Sequence, residues 1–511
     1  MSSSSTGDLE NGNSTWPLSD EKKSDSQSTL HGKYTAEQPP PEMPPQNTVV
    51  DFEGPDDPYH PLNWSFRKKV ITTMLYGLTT CWITFASAIF SAAIEPVKAE
   101  FHVNSEIAAS GVSLIVFGFG LGPLIWAPLS EVYGRKWVVI VPYFIAAAFS
   151  FGSATAKDTQ TLLITRFFAG FFGSAPVTNT GGVLADIWAP QQRGIAIVGY
   201  ALTLVGGPTI GPIVGGALVS SYLGWRWTEY LTGILMMSQI VFDLLLIEES
   251  YPPVLLKNKA RRLRFETKNW ALHAKHEEWD VSFKELSQKY LIRPFQMLAT
   301  PICLFMSVYA AFVYGILYAN LESFSIEFHE IRGWSTVVGN LPFLALFTGI
   351  LFAAALNVYN NKYYFKQFQA NNNRPVPEAR LPPMMIGGIA FTAGLFLFAW
   401  TSKTSINPWP SLVGIGLTGF GFTTIFQASL NYLIDTFTRY SASAVAANTF
   451  LRSITAGAFP LFIIPMYDNI GVDWGTSVFG FFAAALIPVP FLFFFWGKQI
   501  RARGKWSKHT V

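Results

Sequence analysis

Cysteine is scarce in this chain: two residues among 511, Cys81 and Cys303, both inside apolar runs. They build no disulfide framework, and Cys and His nowhere fall at zinc-ligand spacing, so no structural metal is expected. Charge is scarce as well. Asp, Glu, Lys and Arg make up 14% of the residues, against about 25% in soluble domains. The net charge of +3 is too small for a nucleic-acid binder. No GxxxxGK[ST] string occurs, which excludes an ATPase of that type. None of the 7 histidines falls in a long apolar run, which argues against a histidine-box membrane oxidase. What remains is apolar: half the residues are hydrophobic, Phe alone numbers 44, and mean hydropathy is +0.29. Such a chain belongs mostly in lipid.

Two polar stretches divide it. Residues 1–58 hold Ser, Asn and Pro clusters without apolar period and carry a net charge of −8, which predicts a disordered acidic tail. No basic, apolar leader precedes the first apolar run, so that run is expected to insert as an internal anchor. A second polar stretch, 249–293, carries ten Lys and Arg. Between and beyond these lie two apolar regions, 59–248 and 294–497, each with room for six spans of about 20 residues. A short basic tail, 498–511, ends the chain. Spans are predicted near 70–92, 107–129, 137–156, 161–185, 194–220, 229–248, 297–320, 334–358, 382–401, 408–433, 441–466 and 474–497. The fold class is therefore an all-α membrane protein with twelve transmembrane helices in two six-helix halves.

Orientation follows from the basic residues. With the N-terminus inside, 29 of the 36 Lys and Arg fall on inner connections and tails and five on outer loops. The remaining two, Arg166 and Arg452, fall within spans. Both termini are thus expected in the cytoplasm. Trp64, Trp188, Trp225, Trp227, Trp334, Trp409 and Trp474 lie near predicted span ends, at headgroup level.

Four groups of residues point to chemistry. In span 5, Gly207, Gly211 and Gly215 recur every fourth residue, with Gly216 beside them and Pro208 and Pro212 between. Such a face admits close helix approach, and the prolines favour a bend. It reads either as a pliable helix between two moving bundles or as ordinary close packing. In the connection 2–3, Glu131, Gly134, Arg135 and Lys136 combine a tight turn, an acid and two bases. Asp186, at the inner end of span 4, is a candidate partner for Arg135, and the group reads as a conformational latch. Arg166 in span 4 costs at least about 2.5–3.5 kcal/mol to insert, so it needs a cavity or a partner. Asp243 in span 6 is the most buried acid by position and the candidate proton carrier beside Arg166. Asn179, Tyr314, Tyr318, Glu322, Gln427, Asn431, Asn448 and Arg452 are the polar and aromatic groups at or near mid-span that could line a substrate cavity; each suits an interhelical hydrogen bond equally well. His273 and His276 read as the solvated face of a helix in the central loop. No catalytic constellation appears, so the protein is not expected to be an enzyme, and no cofactor is called for.

These strings resemble the twelve-span drug:proton antiporters of the major facilitator superfamily, in the fungal branch of polyamine and multidrug exporters. Residues 127–136 are similar to that family's loop 2–3 signature, with Ala127, Glu131 and Val132 as departures. The segment around Arg166 resembles the helix 4 signature. Residues 207–216 match the antiporter signature G-x-x-x-G-P-x-x-G-G at all five fixed positions. The second-half copy of the loop 2–3 signature is nearly erased around Asn357–Tyr364. The resemblance implies two pseudo-symmetric halves with alternating access, Arg166 in a proton relay, and glycines of span 5 that support antiport. It implies a monomer in the plasma membrane, or alternatively the vacuolar membrane, that exchanges protons for a small organic molecule such as a drug, toxin, secondary metabolite or polyamine. An uptake symporter of the same fold and a non-transporting membrane receptor are the rival readings.

Overall fold

The computed structural model describes residues 48–54, 56–278, 288–372, 374–504 and 506–507. Twelve helical segments carry the fold. The first half holds α1 (Phe66–Ile89), α2 (Ser105–Leu121, continued by Pro123–Tyr133), α3 (Arg135–Ala154), α4 (Thr159–Ile187), α5 (Pro190–Val219) and α6 (Arg226–Leu246). The second holds α7 (Pro301–Phe324), α8 (Pro342–Ala370), α9 (Pro382–Thr401), α10 (Pro408–Thr436), α11 (441–470) and α12 (472–503). Proline stands at the first position of α5, α7, α8, α9 and α10, where its missing N–H is an orphan in any case. Asp158 caps α4 by accepting from the Thr161 N–H at 2.8 Å.

Among the described residues nine helical stretches are long and apolar enough to cross a bilayer, and α2, bent by 41°, makes a tenth. The stretch Ser441–Arg503 turns at Gly471, whose φ of 77° only glycine adopts easily, so it holds two of the expected spans. Helix α4 falls short on hydropathy because Arg166 and a run of Thr, Gly and Asn sit in it. Its 29 residues are still long enough to cross. Large apolar side chains such as Leu245, Phe352 and Phe495 project outward, 76%, 72% and 67% exposed. On a soluble surface they would be a liability; against lipid tails they are at home.

The glycine stripe of α5 faces α1. A Cβ on Gly207 would sit 2.5 Å from the Cys81 carbonyl, and one on Gly211 would sit 2.9 Å from the Ile89 nitrogen. The stripe is therefore packed inside the first half and does not face a moving partner. Its neighbours Gly206 and Gly216 do, meeting Phe347 of α8 and Asn340 of the short helix Thr336–Asn340 that precedes it. Helix α5 thus runs along α8 from Gly194, beside Asn361, to Gly206, and its C-terminal end meets that short helix through Gly216. A second seam joins α2 to α11, where Gly120 meets Ser453 and Phe117 meets Gly457.

The two polar stretches are more structured than their composition predicts. Residues 1–47, 279–287 and 508–511 lie outside the described residues. Within the stretch expected to be disordered, however, Val49–Val50 (β1) pairs in parallel with His273–Ala274 (β2) of the central loop. Val50, Ala260 and Ala274 are buried together under a loop helix, Pro252–Thr267. His273 and His276 accordingly lie in a strand and a single 3-10 turn, not on one helical face. The periodicity of the loop is too short to show this, since a two-residue strand has no pattern.

Candidate functional site

The buried face of α4 carries the first constellation. Arg166 is 1% exposed and pairs with Glu229, at the opening of α6, at 2.5 Å. Its Nε donates to the Gly111 carbonyl at 2.8 Å and its second amine to the Ala86 carbonyl at 3.3 Å. The guanidinium also lies over the Phe90 ring, 4.3 Å from its centroid. The arginine therefore does not snorkel. It ties together four helices of the first half, and the chemistry available there is a proton on Glu229 competing with Arg166 for one carboxylate. Asp243 sits elsewhere in the same half, 1% exposed, accepting from Thr79 and Gln239 at 2.8 Å each. No basic side chain pairs with it among the described residues. The pairing of Glu229 with Arg166 across 63 residues carries no local sequence signal.

The second constellation is the charge cluster around Arg135, at the end of the first half. Arg135 pairs with Asp186 at 3.2 Å, donates to Ser130 at 2.7 Å, and lies over the Tyr251 ring at 4.8 Å. Glu249 accepts the backbone N–H of Arg135 at 2.9 Å and of Lys136 at 3.1 Å. An acid at a helix N-terminus satisfies orphan donors and the dipole together. Gly134 is obligatory here: its φ is 93°, and a Cβ would run into the Glu249 carboxylate. The acid that caps α3 is thus Glu249, whereas the sequence spacing pointed to Glu131, on the last turn of α2. Nothing local links residue 249 to 135.

The second half holds a similar arrangement of side chains, although its copy of the sequence signature is nearly erased. Arg380, just before α9, pairs with Asp435 of α10 at 3.0 Å and covers the Tyr364 ring at 3.3 Å. Glu378 pairs with Arg501 of α12. The parts are base, acid and aromatic as before. The base stands beyond the connection that follows α8, just before α9, so the string does not read as a motif.

The third constellation lies where the halves meet. Tyr314, Tyr318 and Glu322 follow one another on one face of α7. The Tyr318 hydroxyl hydrogen-bonds Ser87 of α1 across the interface at 2.8 Å. Tyr314 packs against Phe422 and Phe426 of α10, both at 6.1 Å, and lies 4.9 Å from the Arg452 guanidinium of α11. Asn179, Gln427 and Arg452 are buried, and each keeps one nitrogen without a partner. Glu322 is buried with one oxygen unpartnered. Asn448 donates to Ser307 at 3.4 Å, and Asn431 is half-buried nearer the end of α10. Of the eight cavity candidates, Tyr314, Tyr318 and Arg452 come together most closely; Asn448 is satisfied away from them. Phe422 and Phe426 were missed, because two more phenylalanines in an apolar helix carry no signal.

Outside the spans, the Ala271 carbonyl and the Glu278 carboxylate hold the His273 imidazole above its ordinary value. The N–H groups of Glu53 and Tyr59 hold the Asp57 carboxyl below its ordinary value. No group of three metal-ligating side chains occurs among the described residues.

Comparison with known proteins places this geometry. Residues 76–460 match the description of the Major Facilitator Superfamily. The chain is 62% identical over 461 residues to the efflux pump bik6 of Gibberella fujikuroi, covering 90% of this chain and 95% of that one. It is 42% identical over 462 residues to the citrinin biosynthesis cluster MFS transporter mrr1 of Monascus ruber, covering 90% and 92%. The fold superposes on the proton:xylose symporter XylE with a TM-score of 0.63 at 13% identity, over 84% of this chain and 97% of that one. Twelve helices in two halves, paired charge clusters and a match across most of the chain have one reading: this protein is a membrane transporter of the major facilitator superfamily.

Proposed function

We propose that this protein exports small organic molecules from the cytoplasm across the plasma membrane in exchange for protons. The observation that carries the reading is the buried Arg166–Glu229 pair, in which each of the three guanidinium nitrogens of the arginine donates a hydrogen bond. A proton arriving on Glu229 removes the counter-charge and frees Arg166 to repack against Gly111 and Ala86, that is, against α2 and the end of α1. That local change feeds the α2–α11 seam. The Arg135–Asp186 and Arg380–Asp435 latches would hold the basic, cytoplasmic face shut in one state and open in the other. Asp243 is a second carboxylate able to carry a proton. A membrane potential supplies about 2.3 kcal/mol per elementary charge per 100 mV, so inward proton flow can drive uphill efflux. The names of the efflux pump and the biosynthesis-cluster transporter support export, and a secondary metabolite suits them better than a nutrient.

The test is flux in inside-out vesicles with an acid interior. An exporter accumulates labelled compounds inside; an uptake symporter drives them out. Arg166→Ala is expected to reach the membrane and lose gradient-driven flux. Normal flux by that variant would remove the pair from the mechanism. Deleting residues 1–47 is expected to leave flux intact, whereas a signalling receptor would lose its function.

A further inference from the structure

We propose that Arg452 recognises the anionic end of the substrate, and that the molecules carried are aromatic organic acids whose ring lies against Tyr314, Phe422 and Phe426. The inference rests on the transport reading above and narrows its substrate class.

Arg452 is 7% exposed, its Nε has no hydrogen-bond partner, and no carboxylate stands within ion-pair distance of it among the described residues. The other strongly buried arginines among the described residues differ. Arg166 has Glu229, Arg332 has Glu327 and Arg501 has Glu378. A guanidinium held out of water without counter-charge is costly, and proteins keep such a group where something else supplies the charge. Its flanks are rings: Tyr314 at 4.9 Å and Phe426 at 5.0 Å. Cation–π contact offsets part of the cost but leaves the buried Nε–H without an acceptor.

The surroundings exclude other ligand charges. Gln427 beside Phe426 also keeps a donor nitrogen free. Tyr200 of α5 and Tyr318 of α7 lie within Coulombic range of Arg452, which sets it at the interface of the halves. The nearest acid along α7, Glu322, lies eight residues beyond Tyr314, about 12 Å along the helix axis. A cationic substrate would meet an unneutralised guanidinium, and a neutral one would leave it unpaired. A carboxylate would take two parallel N–H bonds from the fork. The rings then receive the rest of the molecule. Phe422 and Phe426 stack at 5.9 Å with planes 8° apart, and Tyr314 lies within 26° of Phe426. That is a set of nearly parallel faces suited to a flat ring.

The experiment uses the full chain in lipid nanodiscs at pH 7, without a gradient, and measures binding of three probes of one shape. These are 2-naphthoate, its neutral amide and the cationic 2-naphthylmethylamine. Naphthoate is expected to bind about tenfold to a hundredfold tighter than the amide, the range of a charge-assisted hydrogen bond in a buried site, and the amine weakest. Arg452→Gln should abolish the discrimination between acid and amide, and Arg452→Lys should keep part of it. Equal affinities, tightest binding of the amine, no binding of naphthoate at 1 mM (about the weakest affinity of use here), or discrimination that survives in Arg452→Gln each overturn the proposal. The ranking in the unmutated protein decides the matter even if a variant fails to fold. Because binding is read without a gradient, an intact ranking with no proton-driven flux would sink the antiport reading alone.

Discussion

Replacing Glu229 by Ala takes the counter-charge from an arginine whose side chain is 1% exposed, against 2% for the glutamate. Breaking one side of a buried pair costs about 3–5 kcal/mol, because the charge left behind is uncompensated. Glu229→Gln keeps an oxygen that accepts from Arg166 but loses the charge, so it should cost roughly 1.5–3 kcal/mol. In a chain of this size those losses lower the melting temperature by roughly 1–5 °C. The paired replacement Arg166→Met with Glu229→Leu removes both charges and restores much of the stability, since the Coulombic gain of such a pair barely repays its desolvation. Transport should not return with it. The assay is thermal melting of detergent-solubilised protein, followed by gradient-driven flux in vesicles. If Glu229→Ala melts with the unmutated protein and pumps normally, the pair does neither job. If the paired variant recovers flux together with stability, its role is structural only.

Other outcomes follow from the geometry. Gly207→Ala and Gly211→Leu should prevent assembly of the first half, because the new atoms meet the α1 backbone, whereas Gly199→Ala meets nothing within 4 Å and should be neutral or slightly stabilising; size-exclusion profiles check both. Arg380→Ala and Arg135→Ala should have like effects, each raising cysteine labelling of positions on the basic face, if the two latches are counterparts; a change confined to Arg135→Ala would deny the second latch its role. His273 is held above its ordinary value near 6.5, so the contacts that hold it stabilise the β1–β2 pairing below that pH and are lost as pH rises through the raised value. Amide exchange of residues 48–50, corrected for its intrinsic rate, should therefore quicken from pH 6 to about 8, and His273→Gln should flatten the trend.

The sequence showed most of the architecture because lipid imposes it. Helices must satisfy their own backbone in hydrocarbon, so apolar length and basic loops mark spans almost directly. The site was legible only where function concentrates unlike residues in one string. Gly134, Arg135 and Lys136 announce a charged turn, and Arg166 announces a need for a partner. Their partners come from distant parts of the chain, Glu229 from the opening of α6 and Glu249 from the connection that follows it, and no local pattern names them. The glycine face of α5 was legible as a close-packing surface but not as to which helix it meets, since small residues admit any neighbour. Arg380 and Asp435 escaped because the second half keeps the geometry while discarding the spelling.

The pairing of Val49–Val50 with His273–Ala274, beside Lys259 bridging Glu53 and Asp57, makes the connector between the halves lopsided. Its opening portion is stitched to the same bundle from which it emerges, so it is cargo of that bundle and not a loose tether. A gene split between codons 278 and 288 would hand each fragment a finished edge. The two polypeptides, made separately in one cell, should find one another and reassemble.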